Sequence, residues 1–123
     1  LDDSSEIRGE LVEPVYVGRG VAVGRDSIVG PDTIILDQVV VGEHTLIRGS
    51  LVMRGSRIGS STYLNNAIVG EGCSIGNWVR IERDSVVGDQ VSISDGVFVN
   101  RRNRILPFKE ITDSLWREGD IVL

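Results

Sequence analysis

The stretch VAVGRDSIVG, residues 21–30, places an aliphatic residue before glycine at Val23-Gly24 and again six positions later at Val29-Gly30. Val17-Gly18 lies six positions upstream. An amphipathic helix spaces its apolar residues by three and four, and an ordinary half-buried strand by two. A period of six calls for a different unit, one short strand and one corner, repeated.

The period extends well beyond this stretch. One frame runs through Leu11, Val17, Val23, Val29, Ile35, Val41, Ile47 and Met53. A second runs through Val69, Ile75, Ile81, Val87, Ile93, Val99, Ile105 and Ile111. Two five-residue steps join them, Met53 to Ile58 and Leu64 to Val69, with Ile58 to Leu64 at six. Glycine often follows the aliphatic residue, as at Gly18, Gly24, Gly30, Gly42, Gly59, Gly70, Gly76 and Gly88. There it is expected to supply the backbone angles that a sharp corner demands. Two residues before each aliphatic stands a small or β-branched residue such as Ser27, Thr33, Thr45, Cys73 or Ser85. Strand side chains alternate in direction, so both of these positions point inward and the one between them points outward.

So short a strand cannot bury its inward residues alone. Stacking the units in a coil does, each strand pairing with those above and below, which makes a β-solenoid. The hexad resembles the hexapeptide repeat of left-handed parallel β-helices over roughly residues 7–111. The resemblance implies an all-β, left-handed parallel β-helix with three hexads per triangular coil and about five to six coils. The expected organisation is a β-helix over 1–111 and a C-terminal capping segment over 112–123. In that segment Asp113 or Ser114 would cap a short helical turn, Gly119 would end it, and Leu115 and Trp116 would cover the last coil.

With three hexads per coil, the outward residues sort into three faces. Face one carries Tyr16, Ile34, Val52, Ile68, Val86 and Arg104; face two carries Ala22, Val40, Arg57, Ser74 and Ser92; face three carries Ile28, Leu46, Tyr63, Arg80 and Phe98. Faces one and three are mostly apolar, and aligned apolar stripes mark contact surfaces. The expected interface residues are therefore Tyr16, Ile34, Val52, Ile68, Val86, Ile28, Leu46, Tyr63 and Phe98. Two apolar faces fit a cyclic homotrimer, which uses two different patches per subunit. The competing cover is an N-terminal catalytic domain of the same polypeptide.

Composition narrows the function classes. The chain has 123 residues, 15 of them glycine, and a formal net charge of -5. That charge works against bulk attraction to nucleic acid or anionic membrane. No apolar run is long enough to span a bilayer, and the acidic start LDDSSEIRGE does not read as a secretory signal. A single cysteine forms no disulfide within the chain, so a cytoplasmic location is expected. Cys73 falls at an inward position and reads as core. Trp78 falls at a corner.

Chemistry-bearing residues are few. His44, the only histidine, falls at a corner and is the one weak candidate for the general base of a hexapeptide-repeat acetyltransferase acting on an amino-sugar phosphate in an inter-subunit cleft. A catalytic zinc site needs about three protein ligands, and one His with one Cys does not supply them. No metal ligands are assigned. Arg101, Arg102, Arg104 and Lys109 form a basic cluster that would suit a phosphate-bearing ligand, although neighbour-paired charge is the more ordinary reading.

The stretch from Cys73 to Ile111 is more specific than the hexads. Ile75–Glu82 reads IGNWVRIE, Asp95–Asn100 reads DGVFVN, and Leu106-Pro107 is followed by Lys109 and Ile111. This resembles the C-terminal β-helix of mannose-1-phosphate guanylyltransferases. The chain departs from that pattern with Phe108 where His is common, and with NRRNR (100–104) in place of a small-residue spacer. The resemblance implies a parent enzyme that joins a nucleoside triphosphate to a sugar 1-phosphate with Mg²⁺ bound in a catalytic domain. That domain, with its glycine-rich start, is absent from these 123 residues. The expected role is assembly and regulation, with no cofactor held by this chain.

Overall fold

The computed structural model describes residues 3–123. Leu1 and Asp2, the first two positions of the expected β-helix, lie outside the described residues. Every paired strand is parallel, and the strands form three sheets. The chain winds as a parallel β-solenoid of about six turns, the architecture of the left-handed β-helix. Among the described residues no helix is long and apolar enough to cross a membrane.

Each face of the prism is one sheet. Face one stacks Val15–Val17, Thr33–Ile35, Leu51–Val52, Ile68–Val69, Val86–Val87, Arg104–Ile105 and Ile121–Val122. Face two runs from Glu6–Ile7 through Ala22–Val23, Val40–Val41, Arg57–Ile58, Ser74–Ile75 and Ser92–Ile93 to Glu110–Ile111. Face three runs from Glu10–Leu11 through Ile28–Val29, Leu46–Arg48, Tyr63–Asn65 and Arg80–Ile81 to Phe98–Val99. The second residue of nearly every two-residue strand is buried, as are Ile35, Ile47 and Leu64 in three-residue strands, so with Val23, Val29 and Ile81 they form a continuous aliphatic core along the axis.

One step of the sequence frame falls elsewhere. Val52, expected outward on face one, is fully buried and pairs with Ile35; Leu51 takes the outward place beside Ile34. Met53, expected in the core, is half-buried at the corner beyond. The cause is the corner Arg48-Gly49-Ser50, one residue shorter than its neighbours and closed by Gly49 at φ +60°. The first five-residue step therefore follows Ile47 and brings Ser50 to the inward small position, where it is buried. The second short step, from Leu64 to Val69, lies where the sequence places it, with Ala67 buried inside the corner.

Most of the recurring glycines have a different cause from the one expected; Gly30, at φ +109°, is the one among them with the positive angle that a corner calls for. Gly24 and Gly42 have ordinary φ, while the left-handed residue of each corner stands two positions later, at Asp26 (φ 60°) and His44 (φ 56°). Stacking is what demands glycine. A Cβ on Gly24 would lie 2.6 Å from the carbonyl oxygen of Gly42 and 2.9 Å from the amide nitrogen of Glu43, both backbone atoms of the next coil. Any side chain there would prise the coils apart.

Candidate interaction surface

Two side-chain ladders lock the corners together. Inside, the hydroxyl of Ser27 donates to the carbonyl of Gly42 at 2.6 Å and accepts the amide of Thr45 at 3.0 Å. Thr45 repeats this toward Gly59 and Thr62, and Ser56 toward Gly70 and Cys73. Cys73 continues the ladder, its Sγ 3.0 Å from the carbonyl oxygen of Gly88. It is buried as expected, and burial pushes its thiol up from the ordinary value of 9.0. On the outside, the carboxylates of Asp37, Asp89 and Asp95 accept the amides of Arg19, Glu71 and Asn77 on the preceding coil. From the sequence the inward Ser and Thr count only as small or β-branched residues. Their recurrence as hydroxyls at one hexad position was the overlooked signal, since a buried polar group requires a partner.

The faces differ in how far the chain covers them. On face one Tyr16 is 57% exposed, Ile34 44%, Ile68 40% and Val86 36%, in line with half-buried Leu51. On face three the first member is the one apolar residue that stays exposed. Ile28 is exposed and Leu46 half-buried, while Tyr63 lies against two guanidinium groups, Arg80 at 4.7 Å and Arg48 at 5.7 Å from its ring centroid. Arg80 is itself bonded to Glu82. Phe98 is half-buried, with the Trp116 ring 5.2 Å away and tilted by 33°. Face two turns polar after Ala22 and Val40, with Arg57, Ser74 and Ser92 outward and exposed.

The tail does not form the expected helical turn; it begins another coil. Leu115 bridges to Val99 and packs on the core, and Ile121–Val122 extends face one beside Arg104–Ile105. Side-chain amides prepare its path: Asn100 donates to the carbonyl of Trp116 at 2.7 Å and Asn103 to that of Arg117 at 2.8 Å. An extended tail satisfies the open edges of Phe98–Val99 and Arg104–Ile105, which a helical turn would leave unpaired. Trp116 sits outside on Phe98, 70% exposed, so of the two expected capping residues Leu115 alone covers the core, joined there by Val122.

The basic cluster is divided by this arrangement. Arg101 and Arg102 meet on the Glu118 carboxylate, each at 3.1 Å, whereas Arg104 projects from face one and Lys109 lies beyond the next corner. The bond from Arg102, with the charge of Arg101 beside it, holds Glu118 below its ordinary value of 4.5. A depressed native value means that the unfolded tail takes up the proton first. The latch is therefore intact above pH 4.5 and is lost as pH falls through the native value. In a Trp78→Phe background, Trp116 fluorescence is expected to show an acid transition below that value which Glu118→Gln lacks. Equal transitions in both proteins would remove the latch from the account.

The remaining candidates stand apart. His44 is exposed at a corner, its Nε2 3.8 Å from Asp26, with no second titratable group close enough to bond it. Trp78 occupies the same corner column at φ 59° and is 72% exposed, at the corner the sequence assigned it. Among the described residues no three His, Cys, Asp or Glu side chains converge.

A family model described as the GMPPB C-terminal domain matches residues 11–122. The chain belongs to this family. Relatives of that type are similar over part of the chain. The catalytic subunit beta of mannose-1-phosphate guanylyltransferase from Danio rerio is 43% identical over 58 residues, covering 47% of this chain and 16% of the relative. Its Dictyostelium discoideum counterpart is 40% identical over 62 residues, covering 50% and 17%. The chain thus matches about a sixth of the length of these curated relatives. Among solved structures, the Francisella novicida UDP-N-acetylglucosamine acyltransferase superposes with a TM-score of 0.65 at 11% identity, over 98% of this chain and 58% of that one. An H141N perosamine N-acetyltransferase from Caulobacter crescentus gives 0.53 at 14%, over 93% and 48%. At such identities the likeness is one of fold.

Proposed function

We propose that this GMPPB C-terminal-type domain is the non-catalytic assembly and regulatory part of a mannose-1-phosphate guanylyltransferase-like enzyme working in the cytoplasm. The parent reaction joins GTP and mannose 1-phosphate into GDP-mannose with release of pyrophosphate. The observation that carries the reading is the family match across residues 11–122, nearly the whole solenoid, while the chain spans only a small share of its relatives. Mg²⁺ chemistry belongs to the larger part of such an enzyme; among the described residues of this chain no three His, Cys, Asp or Glu side chains converge. What the chain offers instead is surface: a rigid prism with one open apolar face, free to contact copies of itself or a catalytic domain.

The test is a chimera. In the Schizosaccharomyces pombe guanyltransferase, 36% identical over 67 residues, the matching C-terminal segment is replaced by residues 11–122 of this chain. Retained assembly and GDP-mannose synthesis, both lost when the segment is deleted, are expected. A chimera no better than the deletion overturns the reading. The alternative, acetyl transfer to an amino-sugar phosphate with His44 as base, predicts turnover of acetyl-coenzyme A by this chain that His44→Ala abolishes. The expected result is no turnover in either protein.

A further inference from the structure

Positive charge gathers on one side of a chain whose net charge is -5. From Leu46 onward, face three with the corner after it and the tail coil (residues 46–48, 63–66, 80–84, 98–103 and 115–120) carry six arginines against four carboxylates. Three of those carboxylates are already taken: Glu82 is bonded to Arg80, Glu118 joins Arg101 and Arg102, and Asp120 lies 3.7 Å from Arg117. Of the two remaining arginines, Arg48 lies on the Tyr63 ring, while exposed Arg83 has no ion-pair partner among the described residues. Arg83 borders a groove of about 360 Å³ that Asn65, Glu82, Phe98, Asn100 and Arg101 line with it. The fourth carboxylate, Asp84, stands at the corner outside that lining. Inside the groove the charge of Glu82 is held by Arg80.

The donors around this groove are set in place before any ligand arrives. The Arg102 amide donates to the Arg83 carbonyl at 3.0 Å, so Arg83 and Arg101 stand on successive coils, about 4.8 Å apart along the axis. The Arg101 backbone is pinned from both sides, its amide donating to Asn100 Oδ1 at 2.8 Å and its carbonyl accepting the Gly119 amide at 3.1 Å. Glu118 takes one N–H of the Arg101 guanidinium, which has further donors to offer. Asn65 is half-buried, and its side-chain amide bonds nothing among the described residues. Donors held in position on a regular backbone cost little ordering on binding.

We propose that this groove binds a phosphate group, with Arg83 and Arg101 on its oxygens and the Asn65 amide donating a further hydrogen bond. A phosphate presents acceptor oxygens in several directions, which suits donors spread over two coils, and guanidinium forks match it better than a carboxylate, whose two oxygens lie in one plane. The expected basic cluster is thereby redrawn. Arg102 is committed to Glu118, Arg104 projects from face one and Lys109 lies beyond the next corner, whereas Arg83 and Asn65 join Arg101. The site does not depend on the assembly reading, which the chimera tests separately.

The test is calorimetry on the 123-residue chain, with sodium phosphate titrated at neutral pH and the ionic strength held constant with sodium chloride. One site with a dissociation constant of about 1 mM is expected. Arg83→Gln is expected to weaken binding about 10-fold or more, with Arg83→Lys recovering part of the loss. Asn65→Asp puts a negative charge into the groove without touching the Glu118 latch and is expected to weaken binding at least as much. Arg104→Gln with Lys109→Gln is expected to leave it unchanged, and circular dichroism checks that every variant stays folded. Phenyl phosphate separates the sources: tighter binding than inorganic phosphate shows an organic ester whose ring reaches Phe98, and equal binding shows free phosphate. No binding up to about 20 mM phosphate overturns the proposal. Equal binding by the chain and its Arg83→Gln variant overturns it as well, since the phosphate would then sit elsewhere.

Discussion

Gly24→Ala is expected to lower stability by about 3 kcal/mol and the thermal midpoint by roughly 10 °C, although it adds one methyl group and no backbone strain. The new Cβ would lie 2.6 Å from the carbonyl oxygen of Gly42 and 2.7 Å from its carbon. Backbone of the next coil cannot rotate away as a side chain does. The coils must separate at that corner, weakening the bond from the Gly24 amide to the Val41 carbonyl (2.9 Å) and the Ser27 rung on Gly42. Gly55→Ala is the contrast. Gly55 has φ +74° and open space around the site of its Cβ, so it loses only the left-handed preference, roughly 1 kcal/mol. If glycine served corner angles, Gly55 would be the sensitive one. Urea and thermal melts followed by circular dichroism decide the order, and a larger loss at Gly55 would refute the stacking account.

Val52→Glu is expected to cost about 4 kcal/mol or more, a large share of the stability of a small domain, and to leave much of the chain unfolded at 25 °C. Val52 is fully buried among aliphatic neighbours, so no partner waits for a carboxylate there. Met53→Glu removes a half-buried side chain at a corner and is expected to cost about 1 kcal/mol. The two positions are adjacent, similarly apolar and equally compatible with a six-residue frame. Their ranking by soluble yield and denaturant midpoint therefore reports where the chain takes its short step. Equal losses would mean that the corner at Gly49 is not closed as described.

The legible part of this protein is the part that repeats. Aliphatics every six residues with small residues two before them carry the solenoid, the three faces and the inward position of Cys73, because a periodic backbone imposes one environment on every equivalent residue. The run from Ile75 to Ile111 likewise carried the family, which the match over residues 11–122 shows. What the sequence left open depends on contacts between residues far apart in the chain. Val52 and Met53 both fit the frame, and only the shortened corner at Gly49, set by pairing with the coil before, turns Val52 inward. Arg48, Tyr63 and Arg80 are separated along the chain but adjacent in space, so the covering of face three is invisible in a list of outward residues. The tail looked helical because its own residues permit a helical turn. Unpaired strand edges at Phe98–Val99 and Arg104–Ile105, with the amides of Asn100 and Asn103 and the Glu118 latch, draw it into another coil instead. Local periodicity determined the architecture; which face stays open was decided by tertiary contacts, since exposure belongs to the neighbours a side chain finds and not to its place in the repeat.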